Sequence, residues 1–489
     1  MKLNQQTWLG SLLILSLVFA TSCKNKKEQP VAATDHYQNV KTNTQTACDT
    51  TWFPHASTKA PAEGPNSLFA RDTTSNILFH RWSWQKFLWL TKPIPQSQGT
   101  LPLFLADPTI LQVDASMDTV AVPKGVQLVL TDTEQAGFEQ AVLHTNKAYS
   151  ATGNSQTVYY SIHMNSTMLN AAVTAMDDLV AGKITSLKNK AFPVGSFELK
   201  VSWVPVEAIK EENRKNYFIT KAHFPDATGL NEGNEGVSVA MLGMHVVGIV
   251  ENHPEFIWAT FEHRDMAPNF SWNKRSDGEV EGATAATDKL LFAKGNINTI
   301  DGIKWNRTTQ SGVVPSKVYD LFAYGVPRDV GGEFMETSQD GKTNFKNIQD
   351  INACVADNLT DVWNNYFYNG SIWINTDKTS KERQLFVVDS LGGNIKNATP
   401  GSFARGSLNC ANVTMETFTQ TFKSSLGDIN ASTLANCFSC HNSESFQDSD
   451  IRSPMYISHV FNSYALSREQ VSDREIEKLK VIQEKMQMK

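Results

Sequence analysis

Beyond one short run, the 489-residue chain has no long apolar stretch. Trp8–Ala20 (WLGSLLILSLVFA) is the apolar maximum. It has signal-peptide length and is too short to span a bilayer comfortably, and no transmembrane helix is expected after it. Cysteine is scarce, with six in the chain, which excludes a disulfide scaffold. Charge of one sign is lacking too. Lys plus Arg number 44 against 50 Asp plus Glu, a formal charge of -6 that gives no electrostatic case for nucleic acid. There is no internal repeat, no Gly-x-Gly-x-x-Gly, no phosphate loop, no His-Glu-x-x-His and no Gly-x-Ser-x-Gly. The common nucleotide, zinc-protease and serine-hydrolase chemistries therefore have no motif to stand on.

What is present begins at the front end. Lys2 is the only charge before residue 23, and the apolar run closes in Ala20-Thr21-Ser22-Cys23. Small residues followed by cysteine resemble a bacterial lipoprotein signal, in which the thiol of Cys23 takes up diacylglycerol and becomes the new N-terminus. This implies a signal peptide over 1–22 and a chain of the bacterial cell envelope, on the periplasmic side or the cell surface. Only the lipid anchor would touch the membrane. An ordinary secretory signal with a chance cysteine is the alternative. Removing residues 1–22 takes away only Lys2 and moves the formal charge from -6 to -7.

The most informative stretch is Cys437-Phe438-Ser439-Cys440-His441. Two cysteines with two residues between them and a histidine directly after form the attachment motif of a c-type haem. Each thiol adds to one porphyrin vinyl group, and the spacing lets the two sulfurs span both. The next side chain then falls on one face of the ring, where His441 can bind the iron. One covalent haem c is the cofactor implied. Zinc would need two further ligands at workable spacing, and neither a second Cys-x-x-Cys nor a paired histidine follows. A thioredoxin-like dithiol would open a helix inside a βαβ pattern, which the flanking sequence lacks. Export agrees with haem attachment, which takes place outside the cytoplasm. Met455 and His459 follow the motif and are the nearby candidates for a sixth ligand, with an open site or a distant ligand as the alternative. Of the other cysteines, Cys48, Cys354 and Cys410 allow at most one disulfide within the chain, and the pairing is open.

Periodicity assigns an α+β fold: a β-rich body with flanking helices and a small helical C-terminal haem segment. The boundaries read as a tether and lead-in over 23–75, a body over 76–410 and the haem segment with a C-terminal helix over 411–489. Ile77–Leu90 and Ser166–Ala181 have helical spacing, the second with Asn165 or Ser166 as cap and Gly182 as terminator. Asp132–His144 also reads as helical. Phe197–Val204, Tyr217–Phe224, Val237–Val250 and Phe256–His263 read as strands. Asn369-Gly370 reads as a turn, and Glu251-Asn252-His253 as a solvated one. A second constellation is His245, Glu262 and His263. Such residues suit acid/base or metal chemistry, but consecutive strand residues face opposite ways, and a buried polar network is the plainer alternative.

Several segments together resemble an uncharacterised family of exported bacterial proteins with a C-terminal monohaem c-type cytochrome motif, here as a lipoprotein. They are Trp82-Ser83-Trp84-Gln85-Lys86-Phe87, Gly243-Met244-His245-Val246-Val247, Phe256–His263, Asn412–Phe418 and the haem motif. The resemblance implies haem and export, and no reaction. Members often carry Asp-Phe-Ser-Phe-like residues after the haem motif, where this chain has Ile457-Ser458-His459-Val460-Phe461. The expected role is electron transfer in the cell envelope. The partner would be a redox protein or a small-molecule electron donor or acceptor, with no nucleic acid. A haem-dependent oxidoreductase is the alternative: either an oxidase or peroxidase with His245 or Glu262 moving protons, or a substrate dehydrogenase passing electrons to the haem.

Overall fold

The computed structural model describes residues 47–70, 75–97, 99–133, 141–224, 236–266, 284–285, 287–291, 295–296, 304–306, 311–312, 322–323, 326–327, 338–374, 404–407, 412, 414–415, 437–448 and 450–468. The signal segment, Cys23, Cys410 and the chain beyond Arg468, which includes the expected C-terminal helix, lie outside them. The same holds for the Cys440 side chain. Among the described residues, no helix is long and apolar enough to cross a membrane.

One nine-stranded sheet organises the molecule. Its strands are β1 (Ile110–Val113), β2 (Leu128–Val129), β3 (Tyr159–Asn165), β4 (Phe197–Pro205), β5 (Ile219–His223), β6 (Val237–Val250), β7 (His253–His263), β8 (Tyr366–Ile374) and β9 (Ala404–Gly406). The order is β9-β8-β7-β6-β4-β3-β1, with β5 joining the start of β6 and β2 pairing β5. Every pairing along the main path is antiparallel. The α+β class with a β-rich body therefore holds.

Alternation in the strands gives the sheet two faces, each with its own core. Phe197, Leu199, Val201 and Trp203 of β4 join Met244 and Val246 of β6 and Ile257, Ala259 and Phe261 of β7 in the larger core. Helices α1 (Asn76–Thr91) and α3 (Ser338–Asn358) cover that face. α1 is buried nearly all round, from Phe79 and Trp82 to Leu90. Its aromatics stack into the sheet, with Phe87 on Phe261 at 4.1 Å and Phe79 on Trp373 at 3.9 Å. The opposite face carries a second core of Ile162, Met164, Val247 and Ile372. There α2 (Ser166–Val180) lays down Met168, Ala172 and Met176, started by Asn165, whose side chain accepts from Met168 N. Phe438, Tyr456, Ile457 and Phe461 of the C-terminal segment pack into this same core.

Several elements differ from the expectations. Asp132–His144 is no helix where it is described: Ala141–Leu143 is a strand, and Asp132 and His144 make single bridges. Propensity there yields to pairing with Lys304–Asn306. Asn369-Gly370 makes no turn. Both lie inside β8, where the register on β7 shifts as a bulge. The lead-in is partly body. Trp52 and Phe69 are buried, and His55 lies between Asp361 and the Leu88 carbonyl. Cys48 is bonded to Cys354 of α3, which fixes this stretch to the core. His253 is buried rather than solvated, because Glu255 Oε1 lies 2.8 Å from its Nδ1.

Two buried histidines make a pH prediction. Burial pushes His80 and His163 down to about 3. His80 lies against Tyr368 Oη and Asn344 Oδ1, and His163 against Ser161 Oγ. An unfolded imidazole takes a proton near 6.5, and these folded ones refuse it. Stability is therefore full above 6.5 and falls as pH drops from 6.5 toward 3, by roughly 1 kcal/mol per pH unit for each histidine. Urea midpoints at pH 7 and pH 5 check this. His80→Gln should flatten the loss, and an equally steep loss in that variant would contradict the assignment.

Candidate functional site

The C-terminal segment reaches the second face of the sheet at a cavity of about 320 Å³. One wall is the sheet. Register sets Ile162, Lys200, His245 and Thr260 side by side across β3, β4, β6 and β7. A second row holds Glu198, Val247 and Trp258. All seven side chains line the cavity. The opposite wall is Cys437, His441, Phe446, His459, Val460 and Ser463.

The Cys-x-x-Cys-His motif forms a single helical turn, α4 (Cys437–Cys440), closed by a 2.8 Å bond from His441 N to the Cys437 carbonyl. The His441 ring is placed by three contacts. Its Nδ1–H donates to the Ile457 carbonyl at 3.0 Å, Trp258 lies 4.3 Å away, and His459 stacks on it at 3.9 Å. The carbonyl accepts only, so Nδ1 carries the proton and Nε2 presents its lone pair. Burial, reinforced by His459, Lys200 and His245, holds this imidazole well below its ordinary pKa. It is neutral, as a metal ligand must be.

The loop after the motif is fixed by Asn462. Its Oδ1 accepts from Phe446 N at 2.8 Å and its Nδ2 donates to the Glu444 carbonyl at 2.8 Å. Ser453 caps the 3-10 turn Pro454–Ile457. Ser458 donates to Glu198 Oε2 at 2.7 Å, joining the segment to β4. Glu198 is pushed up from the usual carboxylate range, first by burial. Phe446 forms the outer rim, 51% exposed, with its ring 5.2 Å from His459.

The expected site residues part company here. Cys437, His441, His459 and His245 come to one cavity. Met455 does not. It is buried in the second core and sits in a 3-10 turn that ends at Ser458, before the helix over 459–468. The expected single helix carrying Met455 and His459 on one face is thus broken. Glu262 and His263 also lie elsewhere. Glu262 accepts from Asn369 Nδ2 at 3.3 Å. His263 donates from Nε2 to the Asn216 carbonyl, accepts from Asp265 N and stacks on Tyr217 at 3.7 Å. Burial lowers it to about 4. Both its nitrogens are engaged in a structural network.

His245 shares its face with Val247 but not with Met241. A bulge at Leu242 breaks the alternation, because Ser202 pairs Gly243 while Trp203 pairs Met241. Sequence reasoning passed over Glu198, Lys200, Trp258 and Phe446. The available signal was polar side chains at alternate positions of β4 opposite the apolar series from Phe197 to Trp203.

Residues far apart in the chain meet around β6. A Cβ on Gly248 would fall 2.7 Å from the Trp82 ring. One on Gly243 would fall 2.7 Å from Asn412 Nδ2, which itself donates to the Phe261 carbonyl. Thr414 Oγ1 and Ser202 Oγ are 2.6 Å apart. These residues set how the helix α1 and the 412–415 stretch sit on β6, the strand that carries His245.

Among the described residues, no group of three or more His, Cys, Asp or Glu side chains is arranged to hold a bare metal ion. A haem asks for less. The macrocycle supplies four donors, and the protein adds one or two axial ligands and the thiols. Toward it the described residues bring one half-buried cysteine, Cys437, and His245, His441 and His459, in a lining that mixes apolar side chains with Glu198, Lys200 and Thr260; the second thiol lies outside the described residues. No family model, curated protein or solved structure matches the chain.

Proposed function

We propose that the chain is a c-type haem lipoprotein of the bacterial cell envelope that acts in electron transfer. The observation that carries the reading is the state of His441. The histidine of the attachment motif is half-buried beside Cys437, with its Nδ1–H on the Ile457 carbonyl and Nε2 left as the nitrogen that would bind iron. Cys437 and Cys440 would hold one haem c by thioether bonds, and His441 would bind its iron. When bound, the haem supplies a reversible one-electron couple.

The chain's own residues do the rest. Ile457 orients the imidazole, and a hydrogen bond to the outer nitrogen raises ligand basicity. Trp258, Val247, Ile162 and Val460 supply the apolar part of the cavity lining, where they would cover part of the ring. Phe446 brings an exposed ring to the rim, where a partner protein or small electron carrier could approach. Cys23 would tether the molecule to the membrane by lipid.

The test of the role is carbon monoxide added to the reduced, haem-loaded protein. Electron transfer with both axial positions filled predicts an unchanged spectrum and a reversible voltammetric wave. A rapid shift on adding the gas would favour the oxidase or peroxidase reading, in which the iron has an open position.

A further inference from the structure

Lys200 is the cation of the cavity. It sits in the middle of the sheet on β4, paired with Ile162 of β3 on one side and His245 of β6 on the other. Its side chain is half-buried and lines the cavity with theirs. Among the described residues its ammonium takes part in no hydrogen bond and no ion pair. Paired strands on both edges hold such a side chain in place.

The carboxylate in the same lining is Glu198, and it is engaged elsewhere. Ser458 Oγ donates to its Oε2 at 2.7 Å. Burial pushes its carboxyl up from the usual range, against smaller pulls from Ser458 and Lys200. The other polar lining groups, His245, His441, His459, Thr260 and Ser463, bring no negative charge. Lys86 shows what this protein does when it buries a lysine for structure alone. Glu63 Oε1 lies 2.8 Å from that ammonium, and the rings of Trp89 and Phe197 lie 4.9 and 4.5 Å away. A cation drawn away from water needs such an opposing charge. Lys200 has none of its own, and it faces a cavity.

We infer that Lys200 is the carboxylate-binding group of this cavity, and that the carboxylate it takes is a propionate of the haem. This rests on the haem reading given above, which brings a ring with two propionates to a cavity also lined by Cys437 and His441. No bond is made or broken: the ammonium keeps its protons and donates to an ionised propionate. The C-terminal segment would hold the ring by its thiols and iron, and the sheet would hold its acidic edge. A free small acid is the other source of the same chemistry.

The experiment uses the full chain matured with haem-attachment machinery on haem whose propionate carboxyl carbons are isotope-labelled. It reads the infrared difference between the oxidised and reduced protein. Label-sensitive bands belong to the propionates alone, so a merely structural role for Lys200 would leave them in place. Lys200→Met should displace the bands of one propionate and spare the other, and Lys200→Arg should keep both near their wild-type positions. Lys200→Gln should repeat the displacement and serves if the methionine form folds poorly. The exposed Lys188 is the control, and Lys188→Met should change nothing. The midpoint potential should fall in both neutral Lys200 variants, because an uncompensated carboxylate favours the ferric iron. Succinate added to the wild type should leave its spectrum unchanged. Propionate bands that stay in place in Lys200→Met and Lys200→Gln overturn the assignment. So does succinate that binds the wild type and not Lys200→Met, which would make this a position for a free acid. In both cases covalent haem is present and the haem reading stands. A chain that never acquires covalent haem takes both down together.

Discussion

Replacing both Cys437 and Cys440 by Ser leaves a protein from which acid-acetone removes every trace of colour. The thioether bonds are the only covalent link the proposal contains, and serine hydroxyls do not add to vinyl groups under the same conditions. A single Cys437→Ser change should keep the pigment attached through Cys440 but move the reduced absorption band to the red, because one vinyl stays conjugated with the ring. His441→Ala should keep both bonds and lose the low-spin spectrum. This ordering separates attachment from ligation. Cys437 is only partly buried and the larger core lies on the other face of the sheet, so circular dichroism of the Cys437→Ser variant should match that of the wild type. Pigment that resists extraction from the double variant would remove the chemical basis of the account.

Trp84→Ala should lower stability by about 3–5 kcal/mol. Trp84 is 1% exposed and packs edge-on to Phe87 and Phe261 between α1 and the sheet. Its indole N–H donates to Asn352 Oδ1 of α3 at 2.9 Å, so the change opens a cavity and removes a buried hydrogen bond as well. Trp89, half-buried on the same helix, is the internal control and should cost far less on truncation. Urea unfolding followed by far-ultraviolet circular dichroism measures both. A Trp84→Ala loss under about 1 kcal/mol would mean that α1 does not seat on the sheet as described.

The contrast between these two predictions shows what a linear reading can reach. The Cys437–His441 motif is local chemistry, and five adjacent residues carry it. Helix α2 is equally local, with the Asn165 cap, a methionine stripe and Gly182 at φ +67 all close together in the chain. The strands β4, β6 and β7 are legible because alternation and β-branching need no partner to be seen. What the sequence hides is pairing. His245 is one of several strand histidines until the register sets it beside Lys200 and Thr260. The Leu242 bulge reverses the face of every residue before it, so Met241 joins the larger core instead of the His245 side. His263, one residue from Glu262, is taken up by Asn216 and Tyr217, which are nearly 50 positions away.

Composition misled in the lead-in for a similar reason. Residues 47–70 look like a polar meander, yet they bury Trp52 and Phe69 and are bonded to α3 through Cys48 and Cys354. Isolated aromatics in polar surroundings carry no period, so nothing in the local pattern announces that they are core. The C-terminal segment was closer to view. Its motif residues are adjacent in the chain, and the described part of it packs Phe438, Ile457 and Phe461 against the sheet.

The most direct measurement is the mass of the proteolytic peptide that contains Cys437–His441, taken from the full chain produced with haem-attachment machinery. The account predicts that peptide plus one intact iron porphyrin, surviving denaturation and extraction. A peptide with unmodified thiols, or with Cys437 and Cys440 joined to each other, would contradict it.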